Sequence, residues 1–192
     1  MLISSGWAKG ARLQVPPGDA TRPTAIKVRA AALNMLTADL PGAHVLDLFA
    51  GSGAMGLEAV SRGAARAVFV EHAAPALRAL KANIGEVERR AKAQGLDQPP
   101  LAVLARSLPE SLTALKGPFD IAFIDPPYNL VSKLAAPLLE GLAGLIVEGG
   151  IVLFESAAVD ADTIVTAAAS GPGWQLHQKR AYGETALVML LR

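Results

Sequence analysis

The chain contains no cysteine. That excludes disulfides, a cysteine-ligated zinc and a thiolate nucleophile, and it fits a reducing compartment. Its three histidines, His44, His72 and His177, are scattered and give no metal-ligand spacing, so no metal is expected. No uncharged apolar run reaches the roughly 18 residues that a membrane span needs. The first residues, Met1-Leu-Ile-Ser-Ser-Gly-Trp-Ala-Lys9, lack a charged stretch followed by an apolar one. No signal peptide is expected, and a cytoplasmic location is. Charge of one sign is scarce too: the net charge is +1, too little for a general nucleic-acid coat. Its distribution is uneven. Residues 1–43 hold five basic groups (Lys9, Arg12, Arg22, Lys27, Arg29) against two acidic ones, a local +3, while the remainder is at −2.

What is present is apolar: 52% of 192 residues, enough for the core of one domain. Residues 1–23 are rich in glycine and proline and read as extended structure and turns. Thr24 is positioned to cap a helix running to about Asp39, with Val28, Ala31, Ala32, Met35 and Leu36 as its apolar stripe. Beyond it, strand-like runs at 44–48, 66–70, 101–104, 119–124 and 150–154 alternate with helical segments at about 53–62, 74–93, 107–115, 131–146 and 159–169. This alternation predicts βαβ units with a parallel sheet. Two last strands, near 174–181 and 185–191, are joined only by Tyr182-Gly183-Glu184 and should pair antiparallel. Residues 1–40 are expected to form an arm and helix, and 41–192 the catalytic domain.

Two motifs carry chemistry. The first is Val45-Leu-Asp-Leu-Phe-Ala-Gly-Ser-Gly53, at the end of the first core strand, followed by Gly56. Its glycines permit close backbone approach by a ligand, and the following helix offers N–H groups to an anion. Asp47 could meet an amino group, and Glu71, ending the second strand, could accept ribose hydroxyls. Gly51 to Glu71 also matches the dinucleotide fingerprint, so a nicotinamide oxidoreductase stays open on this motif alone.

The second motif is Asp125-Pro-Pro-Tyr128, directly after the apolar run Phe119-Asp-Ile-Ala-Phe-Ile124. An exocyclic amine on a base is a poor nucleophile, because its lone pair is delocalised. The Asp125 carboxylate and the Pro126 carbonyl can accept hydrogen bonds from its two N–H groups. Pro127 stiffens the corner, and Tyr128 can stack on the ring. Together the motifs point to transfer of a methyl group from S-adenosylmethionine to a base amine. On the motifs alone an amine of guanine, adenine or cytosine stays open, and guanine N2 leads only through the family resemblance that the rest of the chain carries. Adenine N6 in DNA or RNA is the alternative within the class, and a non-catalytic RNA-binding ribosome-assembly module is the alternative outside it. Protein-glutamine methyltransferases carry Asn-Pro-Pro-Tyr where this chain has Asp125.

The chain resembles the bacterial 16S ribosomal RNA guanine-N2 methyltransferase family. The resemblance runs through Gly6, Lys9-Gly-Ala-Arg-Leu13, Arg22-Pro-Thr24, Val28-Arg29, Asn34-Met-Leu36, Leu46 to Gly53, Gly56-Leu-Glu-Ala59, Ser61-Arg-Gly-Ala64, Glu71, Asn83, Asp125-Pro-Pro-Tyr128, Glu155 and Tyr182-Gly183. It implies a Rossmann-like α/β fold with a mostly parallel seven-stranded sheet and a C-terminal antiparallel hairpin. It implies S-adenosylmethionine as donor, bound by Asp47, Phe49, Gly51, Gly53 and Glu71. The residue near the adenine would be Ser107, where the family usually has Asp or Asn. Asp125, Pro126, Pro127 and Tyr128 would hold the base. Lys9, Arg12, Arg22, Lys27 and Arg29 would meet the RNA of the small ribosomal subunit. Apart from the resemblance, a monomer is expected because no exposed apolar stripe is evident. The first helix departs from the family: Val28-Arg-Ala-Ala-Ala-Leu-Asn34 stands where an acid and an aromatic are usual. Among the rest, Trp7 could stack on RNA or pack the arm, Asn83 should support a helix or strand, and Glu155 should end the fifth strand and shape a pocket rim. Arg89-Arg-Ala-Lys92 should be an exposed helix end, and Phe154 and Trp174 should be core.

Overall fold

The computed structural model describes residues 1–16, 23–171 and 173–192, with side chains from residue 26 onward in the first helix. The chain forms two compact units, Met1–Arg106 and Ser107–Arg192.

The first unit opens with an arm folded on itself. Leu2 and Arg12 form an antiparallel bridge, and the Ile3 and Gly10 N–H groups donate to Ala11 and Ile3 carbonyls at 3.0 and 2.9 Å. Ile3, Ala8, Ala11 and Leu13 are buried beneath it. Helix α1 is Pro23–Met35. Proline suits a first helical position, since its missing N–H would have no helical acceptor there. Thr24 therefore lies inside the helix instead of capping it. The helix also stops four residues short of Asp39, where the Thr37 hydroxyl donates to the Asn34 carbonyl at 3.0 Å.

The βαβ succession follows: β1 (His44–Leu48), α2 (Ala54–Ser61), β2 (Arg66–Glu71), α3 (Ala74–Ala93) and β3 (Leu101–Ala105). The strands are parallel in the order β3-β2-β1, with Val45 opposite Ala67 and Val68 opposite Ala102. Helix α3 buries Ala76, Ala79, Leu80, Asn83, Val87 and Ala91. That spacing of three and four residues draws one stripe along a helix, and its single polar member is Asn83.

The second unit starts with a 3-10 turn, Glu110–Ala114, where a full helix over 107–115 is expected. Pro109 and Pro118 bracket a segment too short to propagate one. Then come β4 (Phe119–Ile124), α4 (Val131–Leu142), β5 (Ile146–Ala157), α5 (Ala161–Ser170), β6 (Gln175–Tyr182) and β7 (Thr185–Leu191). Strand β5 is much longer than 150–154, and α4 ends correspondingly earlier. An irregularity in β4–β5 pairing between Phe119 and Ile121 accommodates the extra residues around Gly149-Gly150. The order in this unit is β4-β5-β7-β6: β4 and β5 are parallel, and β7 is antiparallel to both neighbours. Phe154 and Trp174 are core residues. The expected class, α/β with seven mostly parallel strands and a C-terminal antiparallel hairpin, is the one observed. Among the described residues no helix is long and apolar enough to cross a membrane.

Candidate functional site

In the first unit the glycine loop leaves β1 through an unusual backbone. Phe49 has φ +59°, and Gly51 and Gly53 have φ +55° and +75°. A bulky residue at positive φ is rare and costs on the order of 1–3 kcal/mol, so the surrounding structure must impose it. The two expected acids hold the loop on either side of this strained stretch. Asp47, buried at the end of β1, accepts from the Gly56 N–H at 2.9 Å through Oδ2. Its charge thus lies at the N-terminal end of α2, where the helix dipole favours it. Glu71, buried at the end of β2, accepts from the Gly51 N–H at 2.9 Å through Oε2. Its Oε1 accepts from the His72 and Ala73 N–H groups, both at 2.7 Å. Both carboxylates shape the loop as well as standing beside it, a role the sequence does not reveal.

Gly56 is required by packing. A Cβ there would lie 2.5 Å from the Phe69 ring and 3.0 Å from Asp47 Oδ2. At Gly51 a Cβ would meet only the Phe49 carbonyl at 4.0 Å, so the space above this glycine is open. Ser107, at the start of the second unit, is exposed.

The arm explains several motif residues with no evident chemistry. Glu58 of α2 is fully buried, and Arg29 Nε and Arg62 Nη2 donate to it at 3.1 and 2.8 Å. The Ser4 hydroxyl donates to the same carboxylate. Arg29 also donates to the Leu2 carbonyl at 2.8 Å, and Arg62 to Asn34 Oδ1 at 2.8 Å. A buried carboxylate needs such partners. Ser61 accepts from the Ala8 N–H at 2.9 Å and donates to the Ser5 carbonyl at 2.6 Å. The Trp7 indole N–H donates to the Val60 carbonyl at 3.0 Å, so this ring packs the arm.

Of the basic residues expected to meet RNA, Lys9, Arg12 and Lys27 are exposed. Arg22 lies outside the described residues. Arg29 is only 7% exposed and is spent on Glu58 and Leu2, so it anchors the arm and presents no charge to solvent. Arg90 also corrects an expectation. It donates to the Lys9 and Gly10 carbonyls, both at 3.3 Å, and so joins the arm to the end of α3.

In the second unit β4 delivers Asp125-Pro-Pro-Tyr128. Asp125, Pro127 and Tyr128 are exposed, whereas Pro126 is buried and roots the corner. Tyr128 is 48% exposed, and its hydroxyl lies 3.5 Å from that of Thr185, the first residue of β7. Thr185 was not evident from sequence, because strand pairing alone brings it to this corner. Glu155 sits within β5 opposite Leu187 and does not end the strand.

The strand and helix succession, the strained glycine loop after β1 and the Asp-Pro-Pro-Tyr corner after β4 define a Rossmann-like methyltransferase fold. The chain belongs to the family described as conserved hypothetical protein 95, whose model matches residues 1–191. The ribosomal RNA small subunit methyltransferase D of Escherichia coli (strain K12) is 32% identical over 187 residues, covering 96% of this chain and 86% of the relative. A hypothetical protein of Thermus thermophilus superposes with a TM-score of 0.75 at 31% identity, covering 98% of both chains. A ribosomal protein L11 methylase from Lactobacillus delbrueckii subsp. bulgaricus shares the fold, with a TM-score of 0.72 at 22% identity over 96% of this chain and 86% of that one.

Proposed function

We propose that this protein methylates the exocyclic N2 amine of a guanine in small-subunit ribosomal RNA, with S-adenosylmethionine as donor. The observation that carries the reading is the Asp125-Pro-Pro-Tyr128 corner, an exposed carboxylate and half-exposed ring on a buried proline at the end of a buried strand. The name and coverage of the Escherichia coli relative support the ribosomal RNA part.

The first unit's loop fits the donor. Open space at left-handed Gly51 lets a ligand lie against the backbone. The Gly56 N–H of α2 is held by Asp47, which leaves the Ala54 and Met55 N–H groups, without helical acceptors, for the donor's carboxylate. The Glu71 carboxylate offers about four acceptor positions, of which three go to backbone N–H groups, leaving capacity for a ribose hydroxyl. Asp47, Phe49 and Gly53 complete the donor set, and Ser107 is retained for the adenine. When bound, S-adenosylmethionine supplies an electrophilic methyl group.

The second unit's corner holds the acceptor. Asp125 and the Pro126 carbonyl accept from the two N–H groups of the amine and turn its lone pair outward. Tyr128 stacks on the base, and Pro127 keeps the frame rigid. The bond to the amine nitrogen forms as the donor's carbon–sulfur bond breaks, and the surplus proton leaves to water. Most of the advantage comes from orientation. The guanine must leave its stack to reach the corner, at lower cost from a loop than from a duplex. Lys9, Arg12, Arg22 and Lys27 meet phosphates.

The test is transfer of labelled methyl groups to undermethylated small subunits, naked 16S RNA and DNA in parallel, followed by nucleoside analysis. N2-methylguanosine is expected. N6-methyladenosine or labelled DNA would replace guanine with adenine as the acceptor. Donor binding with no label in any substrate would overturn the RNA reading.

A further inference from the structure

Asn83 is 1% exposed in the middle of α3, and its amide reaches two distant parts of the chain. Its Oδ1 accepts from the Gln14 N–H at 2.7 Å, and its Nδ2 donates to the Gln14 carbonyl at 2.9 Å. The same Nδ2 donates to the Ser52 carbonyl at 2.8 Å. An amide has two N–H donors, and both are used. Gln14 is gripped by its backbone alone, as a neighbouring strand would grip it, while its side chain is exposed. Ser52 lies between the two left-handed glycines of the loop, Gly51 and Gly53.

We infer that Asn83 is a positioning residue that couples the N-terminal arm to the donor loop, so that a donor on the loop tightens the arm. The inference rests on the donor assignment proposed above. Helix α3 is the shared support. At its start Glu71 bonds the Ala73 N–H and the Gly51 N–H together. Asn83 holds loop and arm at mid-helix. Seven residues on, or about 10 Å along the axis, Arg90 holds the Lys9 and Gly10 carbonyls. A donor that orders residues 51–53 fixes the Ser52 carbonyl and hence the Asn83 amide plane. That plane sets both hydrogen bonds to Gln14. Coupling through a satisfied buried amide is stiff, because no other partner replaces a lost bond without cost.

The experiment is amide hydrogen exchange on the full chain, with and without saturating S-adenosylhomocysteine, in the native protein, Asn83→Asp, Gln14→Pro and Gln14→Ala. Aspartate keeps the acceptor but loses both donors, and proline removes the Gln14 N–H without touching α3. In the native protein the ligand should slow exchange at residues 51–53 and also at Ile3, Gly10 and Leu13, the latter by roughly tenfold. Asn83→Asp and Gln14→Pro should keep protection of the loop and lose the response of the arm. Gln14→Ala, with backbone intact, should behave as native. A merely structural Asn83 would speed exchange in the arm while leaving its fractional response to ligand unchanged, which overturns the inference. Loop protection with a silent arm in the native protein overturns it alone. Absence of loop protection overturns the donor assignment and this inference together.

Discussion

A β-carbon on residue 6 would lie 1.7 Å from the Ser61 carbonyl oxygen, and Gly6 has φ +78°. Gly6→Ala therefore combines a clash against backbone with left-handed strain. It should destabilise the protein by roughly 2–4 kcal/mol, read as a lowered urea midpoint with early proteolysis at Lys9 and Arg12. The same substitution at Gly10, which has open space, should cost only the strain of its own φ. Asp125 answers to chemistry. Asp125→Ala should abolish methyl transfer while S-adenosylmethionine affinity by calorimetry stays within about twofold, if Asp125 holds the acceptor as proposed. Equal loss of donor binding would show that the carboxylate has been given the wrong role.

Helix α3 carries a pH-dependent element. Hydrogen bonding from Arg90, reinforced by the charge of Arg89, holds the Glu86 carboxyl below its ordinary range despite some opposing desolvation. A carboxyl whose pKa is lower in the folded state binds fewer protons there than in the unfolded chain. Its contribution is present above the unfolded value of about 4.3 and is lost as pH falls through the folded value. Glu86→Gln should thus cost roughly 0.3–1 kcal/mol at pH 7, with the difference fading as pH falls through the lowered folded value in paired denaturation curves. Because Arg90 also holds the arm, the variant should raise the exchange of Gly10 at neutral pH.

For the molecule as a whole, the proposed RNA contact is a matter of charge. With a net charge of +1, attraction must come from local cations, and the described exposed ones on the arm and α1 are Lys9, Arg12 and Lys27. Lys9→Ala should weaken RNA binding across sequences and lower the slope of log affinity against log salt by about 0.7–0.9. Arg29→Ala should leave that slope unchanged and lower thermal stability instead, since its guanidinium is buried against Glu58. Salt titrations of a 16S RNA fragment distinguish the two directly.

Much of the fold is legible in the sequence. Strands such as Phe119–Ile124 are apolar runs broken only by Asp120, and the α3 stripe repeats at helical spacing. Both are local patterns, and burial of local patterns decides elements. The glycine loop and the Asp-Pro-Pro-Tyr corner were legible for the same reason: each is contiguous, and its chemistry follows from neighbours in sequence. Boundaries failed where local signals conflicted, as at the end of α1 and across Gly149-Gly150.

What tertiary structure alone decided is which polar side chains are spent on holding the protein together. Arg29 and Lys27 are near neighbours in one helix, yet one is buried on Glu58 and the other exposed. Asn83 finds Gln14 at a separation of 69 residues and Ser52 at 31. Sequence by itself determined the α/β class, the order of elements and where the two candidate motifs fall, because those depend on short-range periodicity and backbone sterics. Partner choice among buried charges and amides depends on which surfaces meet after folding, and no local pattern encodes it.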